Sequence, residues 1–345
     1  MTQIKVDTIV DAAGTGAADF ADGITIAGNA LSALNTAEYY SSASEPTSPK
    51  NGAIWWDTAN EKVMVYIADE FKEVVLGAAA GPVIWTVDIS QISYDSVSFS
   101  VTSQDSSPRG LDFNTDGTKM YMTGTGTQRV FQYSLSTGFD LSTASYDSVS
   151  VDLSGTISSA MDIRLSSDGT KMYVNGNFNT IYQWNLSTAF DLSTASYSNT
   201  NFSATSQTNN SRGFRFNADG TKMYLVDGSP EKVFQYSLST AWDLSTASYD
   251  SVFYTSSETD DLIDVSFNTD GTRMYLLSRF DQTFYQYSLS TGFDISTASY
   301  DSVSSPSINS QTGTLPHSTK FSADGTKLFV LSNGNDAIYQ YSTGL

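Results

Sequence analysis

With 39% hydrophobic and 13% aromatic residues among 345, the chain has the material for a folded core, which excludes global disorder. Its 37 acidic and 17 basic residues leave a formal charge of −20, which argues against nucleic acid and anionic lipid as partners, since both are held by Lys and Arg. Cysteine is absent and histidine occurs once, as His317, so disulfides, cysteine nucleophiles and histidine-cluster metal sites are excluded.

In chain order, the opening Met1-Thr2-Gln3-Ile4-Lys5-Val6-Asp7 has no basic start leading into an apolar run, which predicts no signal peptide. No stretch approaches about 18 consecutive apolar residues, which predicts no membrane insertion. The first block, residues 1–44, is small and turn-rich over residues 1–35, with Gly14, Gly16, Gly23 and Gly28 punctuating short runs such as Ile24-Thr25-Ile26. A turn-forming stretch, Glu45 to Gly52, opens a second block over residues 45–76. There Ala53-Ile54-Trp55-Trp56-Asp57 and Lys62-Val63-Met64-Val65-Tyr66-Ile67 read as a hairpin, with Phe71 to Val75 as a third strand. A module of roughly 30 residues buries little surface alone, so it calls for a partner chain or a platform. Residues 77–82, Gly77-Ala78-Ala79-Ala80-Gly81-Pro82, read as a linker.

The rest, 83–345, is repetitive. Asp-Gly recurs at Asp116, Asp168, Asp219, Asp270 and Asp324, at intervals of 52, 51, 51 and 54 residues. Each pair is followed by Thr-Lys or Thr-Arg and an apolar pair, then by a Gln-aromatic pair beginning at Gln132, Gln183, Gln235, Gln286 and Gln340. A block of the form Phe-Asp-Leu-Ser-Thr-Ala-Ser-Tyr ends at Tyr146, Tyr197, Tyr249 and Tyr300. Asp-Gly between apolar runs marks a tight hairpin, so Leu111-Asp112-Phe113 is strand a and Lys119 to Met122 strand b. Strand c alternates, with Phe131, Tyr133 and Leu135 on one face and Gln132 and Ser134 on the other; Tyr146 to Val151 is strand d. Four antiparallel strands in about 50 residues make a propeller blade. The first d-type strand, from Tyr94, has no a, b or c before it, and the last set, ending at Tyr341, has no d after it. Two incomplete ends that sum to one repeat predict an all-β, five-bladed propeller closed by its N-terminal strand; the alternative is a β-helix.

Two stretches outside the repeat carry a resemblance. Ile4-Lys5-Val6-Asp7-Thr8-Ile9-Val10-Asp11-Ala12-Ala13-Gly14-Thr15-Gly16, followed by Phe20 and Gly23-Ile24-Thr25, resembles the start of tail-fibre and other appendage proteins of tailed bacteriophages, marine ones in particular. Pro49-Lys50-Asn51-Gly52-Ala53-Ile54-Trp55-Trp56-Asp57-Thr58 through Tyr66 resembles a small β module of phage structural proteins, and the blade unit is similar to propeller repeats seen in such phages. The resemblance implies a virion protein that docks on other virion proteins through residues 1–76 and faces the host with its distal domain. It also implies a homo-oligomer, with a trimer favoured. It supplies no site residue.

Chemistry is sparse. Aligned on Asp-Gly, Asp112, Asp162 and Asp264 fall on innermost strands, where a glycoside hydrolase would place two carboxylates. The simpler reading pairs Asp112 with Arg164 or Lys320 of the same ring. Asn114-Thr115-Asp116-Gly117 has too few oxygens for a calcium loop and reads as a turn. His317 lacks a serine and acid at triad spacing and reads as a loop residue. Arg109-Gly110 and Arg212-Gly213 recur in two blades and suit a salt bridge or a ligand. No catalytic residue, metal or cofactor is assigned.

Function is expected where the repeats disagree, on the face shared by the d–a and b–c loops. The candidates are Asn177, Phe178 and Asn179; Arg279, Phe280 and Asp281; Asn209 and Asn210; and Asn333 and Asn335. Amides that bond hydroxyls and rings that stack on a pyranose suit a sugar. The reading is a virion appendage that recognises a host cell-surface polysaccharide and is not an enzyme. The alternatives are a purely architectural virion decoration or tail-associated protein, and, third, a polysaccharide depolymerase.

Overall fold

The computed structural model describes residues 84–345, except 177, 178, 256 and 314, together with short strands within residues 1–82. The chain forms two compact units, Met1–Pro82 and Val83–Leu345. In the first, Ile54–Asp57 and Lys62–Ile67 form the expected hairpin, pairing Ile54 with Val65 and Asp57 with Lys62. The next strand is Glu70–Glu73, slightly earlier than 71–75. The sheet also takes in Tyr39–Ser42, parallel to Ile54–Asp57, so it begins before the turn at residue 45. The expected linker, 77–82, lies outside the described residues.

The second unit is a five-bladed β-propeller of four-stranded antiparallel sheets. Blade 1 is Pro108–Phe113, Lys119–Gly124, Arg129–Leu135 and Ala144–Asp152 (strands a to d). Blades 2 to 4 follow with a strands Asp162–Leu165, Ser211–Phe216 and Leu262–Phe267. Blade 5 comprises Pro316–Phe321, Lys327–Ser332 and Ala337–Ser342, and its outer strand is Ser93–Ser100 from the other end of the domain. Antiparallel pairing throughout and closure across more than 240 residues dispose of a β-helix.

The core is distributed over the five seams between blades. In one seam Tyr121 and Val130 of blade 1 meet Leu165, Met172 and Trp184 of blade 2; in another Tyr275 and Phe284 of blade 4 meet Phe321 and Leu328 of blade 5. Each Asp-Gly turn is built alike. Asp116 accepts from the backbone N–H and hydroxyl of Thr118, at 2.9 and 2.6 Å, and Gly117 takes φ +74°. A Cβ there would lie 2.4 Å from the Phe139 ring, so glycine is required for contact as well as for φ.

The repeated glutamines stitch neighbouring blades. Strand c alternates as expected, but Gln132 is buried as well, because its face meets the next blade. Its amide accepts from Leu192 N–H at 2.8 Å and donates to Asp147 at 2.9 Å. Asp147 reaches back because the d strand bulges at Asp147-Ser148, with Ser148 at φ +59°. The same stitch runs from Gln235 to Ile295, Gln286 to Ile89 and Gln340 to Leu141. In blade 2 Ser198 replaces the aspartate; Gln183 donates instead to Asn185, and its oxygen has no partner. A second stitch runs from the tyrosine of strand b to the next blade: Tyr121 to Phe190 O, Tyr173 to Trp242 O, Tyr224 to Phe293 O and Tyr275 to Val87 O.

Candidate functional site

The five a strands line the axis, and their residues four and six before the Asp of each Asp-Gly fill it. Arg164 donates to Asp162 at 2.8 Å and to Asp264 at 3.3 Å, and Arg215 donates to Asp264 at 3.0 Å. Lys320 meets Asp112 at 2.6 Å, as the simpler sequence reading expects. The carboxylates also accept backbone N–H groups of adjoining blades: Leu165 on Asp112, Phe214 on Asp162 and Thr319 on Asp264. Three aspartates and three cations therefore plug the channel. The aspartates are 2%, 1% and 1% exposed, which closes them to a polymeric substrate. Burial raises the Asp162 carboxyl well above the usual carboxylate range, against the pull of Arg164. For Asp112, Lys320 and Arg164 overcome burial and hold the carboxyl below it.

One layer outward, seven residues before each Asp-Gly aspartate, stand Arg109, Met161, Arg212, Ile263 and His317. This layer opens onto the face of the d–a and b–c loops. His317 is not the loop residue expected from sequence: it sits on the a strand of blade 5, 4% exposed. Its Nε2 lies 2.5 Å from an Arg109 nitrogen, and since a guanidinium only donates, the imidazole accepts. Burial and the charges of Arg109, Arg279 and Arg212 push His317 well below the usual imidazole range, so it is neutral at pH 7. Arg279 and Arg212 both pair with Asp261. Arg109 pairs with no carboxylate among the described residues, and the Nε groups of Arg109 and Arg212 are buried without a partner.

Glycine follows Arg109 and Arg212 for a steric reason. A Cβ on Gly110 would lie 2.7 Å from the backbone of Asp162, and one on Gly213 would lie 2.6 Å from the Asp264 carboxylate. At the Arg-Gly pairs the neighbouring a strand therefore leaves no room for a side chain.

The other expected contact residues divide. Phe280 is 70% exposed beside half-buried Arg279, and Asn209 is exposed. Asn179 holds Ser211 N–H, Asn335 donates to Gln311 O and Tyr339, and Asp281 accepts from Ser278 and Tyr285. Asn210 and Asn333 join loops through their backbones, to Gly228 and Leu315. Asn177 and Phe178 lie outside the described residues. Sequence reading missed the convergence of Arg109, Arg212, His317 and Arg279. The shared offset of seven from Asp-Gly was the available signal for three of them.

No protein-family model and no curated protein matches the chain. Among solved structures it is similar to a protein from Bacteroides uniformis ATCC 8492 named, provisionally, as a 6-phosphogluconolactonase, at 12% identity and a TM-score of 0.41, over 70% of this chain and 64% of that one. It is also similar to a protein of unknown function from Desulfotomaculum acetoxidans DSM 771, at 12% identity and a TM-score of 0.42, over 79% of this chain and 69% of that one. The chain thus spans less than two thirds of the first of these, and neither bears on its chemistry.

Proposed function

We propose that the chain is an adhesion protein of a tailed-phage virion, a tail fibre or related appendage. In this reading residues 1–76 attach to other virion proteins, the protein assembles as a trimer, and the loop face of the propeller binds a host surface polysaccharide. One observation carries the binding role. Side chains that stitch the blades repeat around the ring, whereas one face breaks the repeat and presents Phe280, 70% exposed and next in the chain to Arg279 of the axis mouth. An exposed ring flanked by hydrogen-bond donors is the composition that holds a sugar. Binding is favoured over hydrolysis because a glycosidase needs two carboxylates that reach one glycosidic bond, and the axis aspartates are buried in ion pairs.

The test is microscopy of the labelled full-length protein on a panel of bacteria, with free polysaccharide as competitor. Saturable binding that the polysaccharide abolishes and that Phe280→Ala weakens supports the reading; absence of binding on every strain, with the protein present in the particle, removes it. A purely architectural role is the second reading, favoured by the internal engagement of Asn179, Asn335 and Asp281. Under that reading deletion of residues 83–345 leaves adsorption unchanged and lowers particle stability.

A further inference from the structure

Five of the chain's seven arginines, Arg109, Arg164, Arg212, Arg215 and Arg279, lie on the propeller axis or at its mouth. In a chain of charge −20 this concentration has a local cause. Arg164 and Arg215 are accounted for by the buried aspartates. Arg109, Arg212 and Arg279 are not: Arg212 and Arg279 share one carboxylate, Asp261, and Arg109 pairs with none among the described residues. Two other aspartates stand near, but Asp105 is held by the N–H groups of Ser107, Gly126 and Thr127, and Asp227 by that of Ser229.

We propose that the mouth of the axis, formed by Arg109, Arg212 and Arg279 with His317 beneath, is an anion site that takes a carboxylate or sulfate group of an acidic polysaccharide. The inference rests on the glycan-binding reading and specifies its substrate class. Neutral His317 fixes the Arg109 guanidinium from below while adding no charge of its own to repel it. Like charges held close are costly, and an incoming oxyanion relieves that repulsion while accepting forked N–H pairs. Phe280, beside Arg279, supplies the face on which the sugar ring of the same residue stacks. The overall negative charge does not forbid this, because charges beyond about 8 Å are largely screened at physiological ionic strength.

The experiment measures binding of the full-length protein to immobilised polygalacturonate, to the same polymer after carboxyl reduction, to dextran sulfate and to dextran. The variants are Arg109→Gln, Arg279→Gln, and, as an outer-surface control, Arg129→Ala. Each is first checked for an unchanged melting profile, and His317→Leu, which removes the acceptor that fixes Arg109, stands in should Arg109→Gln fail to fold. The expected result is binding to one or both acidic polymers at least about tenfold tighter than to the neutral counterpart, reduced about tenfold or more by each mouth variant and unaltered by Arg129→Ala. Which acidic polymer responds separates carboxylate from sulfate. Equal binding to acidic and neutral polymers overturns the anion site while leaving glycan adhesion standing. Equal loss with Arg129→Ala, absence of binding to either acidic polymer, or equally sensitive capture by polyglutamate also overturns it. Loss of all binding to host cells, with acidic-polymer binding intact and arginine-dependent, removes the adhesion reading and keeps the site.

Discussion

The guanidinium of Arg164 in blade 2 crosses the axis of the ring to meet Asp264 in blade 4, a hundred residues later in the chain, at 3.3 Å. Neither residue has a neighbour in sequence that would explain it. The contact exists because five a strands converge and leave a narrow polar well between them.

Replacing Arg164 by Leu should therefore strip Asp162 and Asp264 of their shared cation in a site 1% exposed. Asp264 keeps Arg215, but Asp162 loses its ion-pair partner, and leaving a buried carboxylate uncompensated costs about 3–5 kcal/mol. Urea unfolding should show a loss of this size, whereas Arg129→Ala, at an exposed pair with Asp152, should leave the unfolding midpoint nearly unchanged.

The same well predicts a pH dependence. Burial, aided by Asp264 and opposed by Arg164, pushes the Asp162 carboxyl up to about 7. An unfolded aspartate titrates near 3.9, so between about 4 and about 7 the native state holds a proton that the unfolded state has lost. This group's contribution to stability is complete below that window and is lost as pH rises through it. Asp162→Asn, neutral throughout, should gain stability relative to wild type as pH is raised from about 4 to about 7. A difference flat with pH would refute a raised Asp162.

The glutamine stitches predict a difference between repeats. Gln132→Ala leaves Leu192 N–H without its acceptor and takes one donor from Asp147, which keeps Lys119, and should cost about 1–3 kcal/mol. Gln183→Ala removes only a bond to Asn185 and should cost measurably less. Paired chemical denaturation of the two variants decides it.

Ring closure can be tested at Trp85. Its ring packs over Gly325, 5.0 Å from Phe321 and 6.3 Å from Tyr275, and it is 6% exposed. Trp85→Ala should cost about 3–5 kcal/mol. It should also loosen the outer strand Ser93–Ser100, so amide exchange there should accelerate more than in the outer strand of blade 1.

The ring was legible because its devices are local and repeated. An Asp-Gly turn and an alternating strand each lie within a few residues, and the unequal ends of the array announce closure; the bulge at Asp147-Ser148 emerges only in the structure. Trp85 shows where that legibility stops. In blades 1 to 4 the residue that covers the turn glycine is Phe139, Phe190, Trp242 or Phe293, whereas in blade 5 the matching backbone position is Val87 and the ring comes from two residues earlier. A pattern search finds the vacancy but not the substitute. The axis mouth is harder still. Arg109, Arg212 and His317 share an offset on the a strands but not a residue type, and Arg279 comes from a b–c loop. A net charge of −20 averages over the chain and cannot reveal three guanidiniums brought together by closure.

The route by which the chain enters the ring has a mechanical consequence. Tension applied to the chain before Ile84 does not fall first on the edge of the strand Ser93–Ser100. It meets in turn Trp85 wedged over Gly325, Val87 O bonded to Tyr275 of blade 4, and Ile89 N–H bonded to Gln286 of the same blade. Three successive clasps, two of them on a neighbouring blade, shield the closing strand from being peeled away bond by bond, so the load is shared across two blades before the ring can open.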